Sequence, residues 1–103
     1  MSIRVLIADD NPPARDLLAR IFIDAPGMML VGTATNGLQA VQMVAKHNPT
    51  VLVLDARIPH MDVLETIGDI MDKHPIPIVV VNATASAESN VAEEAVKLGA
   101  LAV

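Results

Sequence analysis

LIADDNPPAR, residues 6–15, runs from an apolar segment into two adjacent carboxylates, Asp9 and Asp10, and then into Pro12 and Pro13. An unbroken apolar run suits a strand covered on both faces. Prolines just beyond it suit a helix entrance, where a missing N–H costs little. Like charges side by side repel, so two acids at the mouth of a core strand are not placed there for stability.

Outward from this stretch the pattern repeats. MMLVGTA (28–34), VLVL (51–54) and IVVV (78–81) join IRVLIA (3–8) as short aliphatic runs, and ALAV (100–103) forms a fifth. Apolar throughout rather than alternating, they read as parallel strands. Helical spacing fills the gaps. Leu17, Leu18, Ile21 and Phe22 make one stripe behind the prolines. Leu38, Val41, Val44 and Ala45 make a second behind Asn36, with Gln39 completing a near-capping box. Asp62 and Glu65 open a third helix, with Leu64, Ile67 and Met71 facing inward, Lys73 and His74 near its negative end and Pro75 as its stop. Ser86 is the expected cap of a fourth, with Val91, Ala95 and Leu98 as its stripe and Gly99 as its C′ glycine. Strict alternation of strand and helix defines an α/β fold with a mainly parallel sheet.

The 103 residues make one domain, expected over residues 1–103. Hydrophobic residues are 52% of the chain and aromatics 1%, so the core is aliphatic. With no cysteine there is no disulfide framework, thiolate metal site or thiol nucleophile. Seven Lys and Arg against twelve Asp and Glu leave a formal charge of −5, which disfavours nucleic acid and anionic membrane as direct partners. The apolar N-terminus is interrupted by charge too early for a signal peptide, and no stretch approaches the ~20 residues of a membrane span. A cytoplasmic location is expected.

In open parallel sheets, ligands bind beyond the carboxyl ends of the strands, where the strand order reverses. Here strand one ends in Asp9 and Asp10, strand three in Asp55 and strand four in Asn82. With order 2-1-3-4-5, strands one and three are neighbours and the three acids converge. Carboxylates ~4 Å apart repel by about 4 kcal/mol per pair at an effective dielectric near 20, so either one is protonated or a cation neutralises them. Hard oxygen donors partly open to water suit Mg²⁺, or Mn²⁺, better than zinc or a calcium cage. Such a site can accept a phosphoryl group. Each residue also has a plain structural reading: Asp9-Asp10 as helix-dipole charge, Asp55 as a turn former and Asn82 as a strand terminator. It is their joint placement at strand ends that favours chemistry. His47 and His74 read as solvated, His60 as a surface-loop residue and Ser86 as a cap rather than a nucleophile.

LIADD (6–10), VLVLDARIPHMD (51–62), VVVNA (79–83) and KLGA (97–100) together resemble the receiver domains of two-component response regulators, over residues 3–103. Within that family, GTATNGLQAV (32–41) and LETIGDIMDKHPIPIVVV (64–81) are most similar to the receiver half of chemotaxis protein-glutamate methylesterases. The resemblance implies a flavodoxin-like, doubly wound, five-stranded parallel sheet of order 2-1-3-4-5. It also implies that Asp55 is the phosphoacceptor for a histidine kinase's phosphohistidine. Asp10 would bind Mg²⁺ directly alongside Asp55, Asp9 through water, and the backbone carbonyl of Arg57 would complete the protein ligands. Asn82 takes the place of a Ser or Thr that contacts the phosphoryl group and moves with the switch, beside the small Ala83.

The departures from the family pattern set further expectations. Val63 replaces a glycine and would be strained if its backbone needed positive φ. Ile58 replaces Met, and Val103 stands where an aromatic is common. The 103 residues stop short of the family's Lys-Pro pair and fifth helix, so helix one alone is expected to cover its side of the sheet. The exposed aliphatic surface there leads to the expectation of either a fragment of a longer protein or self-association through the uncovered face or the edge of strand five. The expected role is a phosphorylation switch that catalyses its own labelling, with any methylesterase activity carried by residues outside these 103. The rival readings are a receiver-like interaction module that does not use phosphate and, with little support, a small Mg²⁺-dependent phosphatase.

Overall fold

A computed structural model describes residues 2–58, 62–82 and 90–103. The elements run β1 (Ile3–Ala8), α1 (Pro12–Asp24), β2 (Met28–Ala34), α2 (Gly37–His47), β3 (Val51–Asp55), α3 (Val63–Lys73), β4 (Ile78–Val81), α4 (Val91–Lys97) and β5 (Leu101–Ala102). The strands form one sheet of order β2-β1-β3-β4-β5, and every pairing is parallel. This is the doubly wound arrangement expected from the alternation, with the order reversing between β1 and β3. His60, Ala83 and Ser86 lie outside the described residues.

Because side chains alternate along a strand, each strand feeds both faces of the sheet. Leu6, Ala8, Leu52, Leu54, Ile78 and Val80 point to one side and pack with Ala40, Val44, Ile67, Ile70, Val91 and Ala95 from α2, α3 and α4. Val5, Ile7 and Val53 point to the other, where Leu18, Ala19 and Phe22 of α1 cover them. The layering is that of right-handed crossovers, and α1 is the one helix on its side among the described residues.

Sequence features account for the helix ends. Asn11 caps α1, its side-chain oxygen accepting from Ala14 N–H at 3.0 Å, with Pro12 and Pro13 at N1 and N2. Asn36 and Asp62 cap α2 and α3 in the same way, each accepting from the N–H three residues on at 2.8 Å. Gln39 does not close a capping box: its Oε1 accepts from Thr35 N–H at 2.9 Å. Gly99 follows α4 at φ 106°, a left-handed position that favours glycine.

Three expectations are corrected. In α1, Leu18 and Phe22 face the sheet, but Leu17 and Ile21 are 62% and 52% exposed. In α2, Gly37, Ala40 and Val44 are buried and Val41 half-buried, whereas Leu38 and Ala45 face outward. Val63 carries no positive-φ strain: it is the first residue of α3 and is buried in the core.

Candidate acidic site at the carboxyl end of the sheet

β1 pairs with β3 so that Ala8 stands opposite Leu54, and the next residue on each strand is an aspartate. Asp9 continues the inward row of Val5 and Ile7, and Asp55 that of Val51 and Val53. Both acids are 1% exposed. Two carboxylates are therefore held together where neither is well solvated.

The hydrogen bonds around them are uneven. Asp9 Oδ1 accepts the Asn11 N–H at 2.9 Å, and Arg15 Nη1 donates to the Asp9 carbonyl at 3.2 Å. Asp9 Oδ2 is buried with no hydrogen-bond partner. On Asp55, Oδ1 accepts from Arg57 N–H at 2.7 Å, with Arg57 Nε at 3.4 Å, and Oδ2 accepts from Asn82 Nδ2 at 3.0 Å. Burial pushes the Asp9 carboxyl above its ordinary range; the Asn11 N–H opposes this, while Asp55, by charge and hydrogen bond, and the Asp10 charge add to it.

Asp10 behaves differently. It is exposed and lies two residues past the end of β1. Among the described residues no group of three His, Cys, Asp or Glu side chains has the spacing to hold a metal ion. Asp9 and Asp55 thus form a buried pair, and the exposed Asp10 lies close enough for its charge to act on Asp9. Asn82, from the end of β4, does reach the site. Ala83 lies outside the described residues.

A buried carboxylate oxygen without a donor, next to a second carboxylate, is the surrounding a divalent cation neutralises, and the hard oxygen set fits Mg²⁺. Mg²⁺ takes few protein carboxylates and keeps several waters, so two buried acids with an exposed third nearby are compatible with it. The sequence reading missed Asn11, Arg15 and the Arg57 side chain. Asn11 had a signal, an Asx residue ahead of the prolines. The other two are long side chains whose reach depends on tertiary placement.

A parallel α/β sheet with an acidic pair at its switch point is the layout of a ligand- or phosphate-handling domain. Residues 5–103 match the family described as Response regulator receiver domain, and the chain belongs to it as a receiver domain of the two-component kind. It is 37% identical over 101 residues to protein-glutamate methylesterase/protein-glutamine glutaminase 4 of Myxococcus xanthus, covering 98% of this chain and 29% of that protein. The chain thus spans under a third of the length of that relative. The response regulator domain of Thermotoga maritima CheB superposes with TM-score 0.91 at 31% identity, over 99% of this chain and 76% of that one. A CheX-CheY-BeF3-Mg+2 complex from Borrelia burgdorferi matches with TM-score 0.86 at 25% identity, over 98% of this chain and 76% of that one. Among the described residues no helix is long and apolar enough to cross a membrane.

Proposed function

We propose that Asp55 is the phosphoacceptor of a signalling switch, phosphorylated by a sensor histidine kinase, and that residues 1–103 form one receiver domain. The observation that carries this reading is the buried, partnerless Asp9 Oδ2 beside Asp55. Asp10, Asp55 and the Arg57 carbonyl would hold Mg²⁺, with Asp9 reaching it through water; Mn²⁺ would suit the same donors. When bound, the ion supplies positive charge opposite the phosphoryl oxygens.

In the transfer, an Asp55 carboxylate oxygen forms the bond to phosphorus while the P–N bond to the kinase imidazole breaks. The bonding pair leaves on the imidazole nitrogen, which takes a proton from solvent. Asn82 would donate to the phosphoryl oxygens, and Ala83, next in sequence, contributes only a methyl side chain. The matched CheX-CheY complex, which contains BeF3 and Mg+2, supports the scheme. By analogy with the methylesterase relative, the output is chemotaxis and the location is the cytoplasm, and any esterase chemistry would belong to residues other than these 103.

Acetyl phosphate with Mg²⁺ provides the test. A phosphoryl mass increment on the intact chain, absent from Asp55→Asn, is expected. Equal labelling of Asp55→Asn overturns the assignment of Asp55. Metal binding without any label points instead to the phosphate-independent interaction module.

Leu17 and Ile21 on α1 and Leu101 and Val103 at the sheet edge are 62%, 52%, 68% and 75% exposed. We infer self-association through this face. Light scattering over a concentration series should show a rising mass, and a constant monomer mass would remove this inference.

A further inference from the structure

Both oxygens of Asp55 are engaged, but by donors of different kinds. The Arg57 bond to Oδ1 is made by the main chain two residues on, at 2.7 Å, so side-chain motion does not break it. The Asn82 bond to Oδ2, at 3.0 Å, is made by an exposed side chain free to leave toward water.

The backbone beneath that side chain is unusual. Asn82 has φ 61°, in the left-handed region. Among the described residues the other non-glycine with positive φ is Asn48, whose position as the C-cap of α2 accounts for it. Asn82 follows a strand, so no helix end explains its conformation. Asparagine tolerates this region better than most residues, yet the conformation is sparsely populated. It accompanies a short amide placed on the acceptor carboxylate.

We propose that Asn82 is a latch on Asp55: at rest its amide occupies Oδ2, and it must leave before that oxygen can take a metal ion or form a bond to phosphorus. This rests on Asp55 being the acceptor. An N–H donor draws electron density from the oxygen it binds, which weakens that oxygen as nucleophile and as ligand. Once released, the same Nδ2 is free to donate to phosphoryl oxygens. Latch and phosphoryl contact are then one side chain in two positions.

The test compares the wild-type chain with Asn82→Gly, which removes the amide and keeps positive φ accessible. Mg²⁺ affinity is read first, by titration of backbone amide resonances without any phosphodonor, and the acetyl phosphate labelling rate second. Competition with one charge-assisted hydrogen bond corresponds to roughly a 10- to 100-fold effect. Asn82→Gly should bind Mg²⁺ tighter by about that factor; its labelling should gain less, because the variant also lacks the Nδ2 donor to the phosphoryl oxygens. In the wild type, the Asn82 Nδ2H₂ resonances should shift as Mg²⁺ saturates, a measurement that needs no variant to fold. Equal or weaker Mg²⁺ binding by Asn82→Gly, or Asn82 side-chain resonances unmoved at saturation, overturns the latch. Wild-type chain that binds Mg²⁺ but takes no label refutes the acceptor reading while the metal titration still decides the metal half of the latch; wild-type chain that does neither refutes both.

Discussion

Asp9 and Asp55 extend the inward rows of two adjacent parallel strands, and each is 1% exposed. Their closeness is dictated by register: once Ala8 pairs with Leu54, the two carboxylates follow side by side. Hydrophobic side chains beneath them, Val5, Ile7 and Val53, hold that register against the repulsion of the acids. The strands that build the core thus also build the site.

The pair makes stability depend on pH and metal. Asp9 has its carboxyl raised from an ordinary value of 3.8, mainly by burial. Well below 3.8 the proton is held in both folded and unfolded chains and no penalty applies; as pH rises through the raised folded value, the unfolded chain has already lost it, and stability falls. Asp9→Asn should therefore raise the Tm in EDTA at pH 7, by about 1 kcal/mol or several degrees. The difference should vanish toward pH 3, and added Mg²⁺ should stabilise the wild type more than the variant. Thermal melts at both pH values, with and without Mg²⁺, check all three outcomes.

Asn11 joins site and scaffold through two separate groups. Its backbone N–H donates to Asp9 Oδ1, and its side chain caps α1 through Ala14 N–H. Asn11→Ala removes the second and keeps the first. The expected outcome is a loss of about 1 kcal/mol in urea unfolding, with the Mg²⁺ affinity of the folded chain retained. A large drop in affinity would mean that the cap itself positions Asp9.

The strands were legible because they are apolar throughout: β1, β2 and β4 have the expected bounds, β3 extends one residue to include Asp55, and β5 is shorter. Helix existence was legible for the same reason, but inward faces were less so. Leu17, Leu18, Ile21 and Phe22 span a wide arc of a helical wheel, and periodicity alone does not say how much of that arc a single helix on an open face will bury. Asp9 and Asp55 were readable as strand-end acids. Asp10 was grouped with them by adjacency; it lies past the end of β1 and is exposed, and its charge acts on Asp9. The Asn82 contact needed the left-handed backbone at φ 61°, which no residue pattern announces.

The unequal covering of the two faces predicts unequal sensitivity to truncation. Ile67 is fully buried between α3 and the sheet, so Ile67→Ala leaves a cavity and should cost about 2–5 kcal/mol. Leu17 on α1 is 62% exposed, and Leu17→Ala should change stability by less than about 0.5 kcal/mol in dilute solution. Urea unfolding at low protein concentration measures both. If copies associate through α1 as proposed, the contrast should narrow at high concentration, because Leu17 would then be buried and its loss linked to unfolding. Leu17→Glu, which places a charge in that contact, should then lower the mass seen by light scattering while leaving dilute stability near the wild-type value. If Leu17→Ala costs more than about 1 kcal/mol even in dilute solution, Leu17 is covered within the monomer, and the open face is not where copies meet.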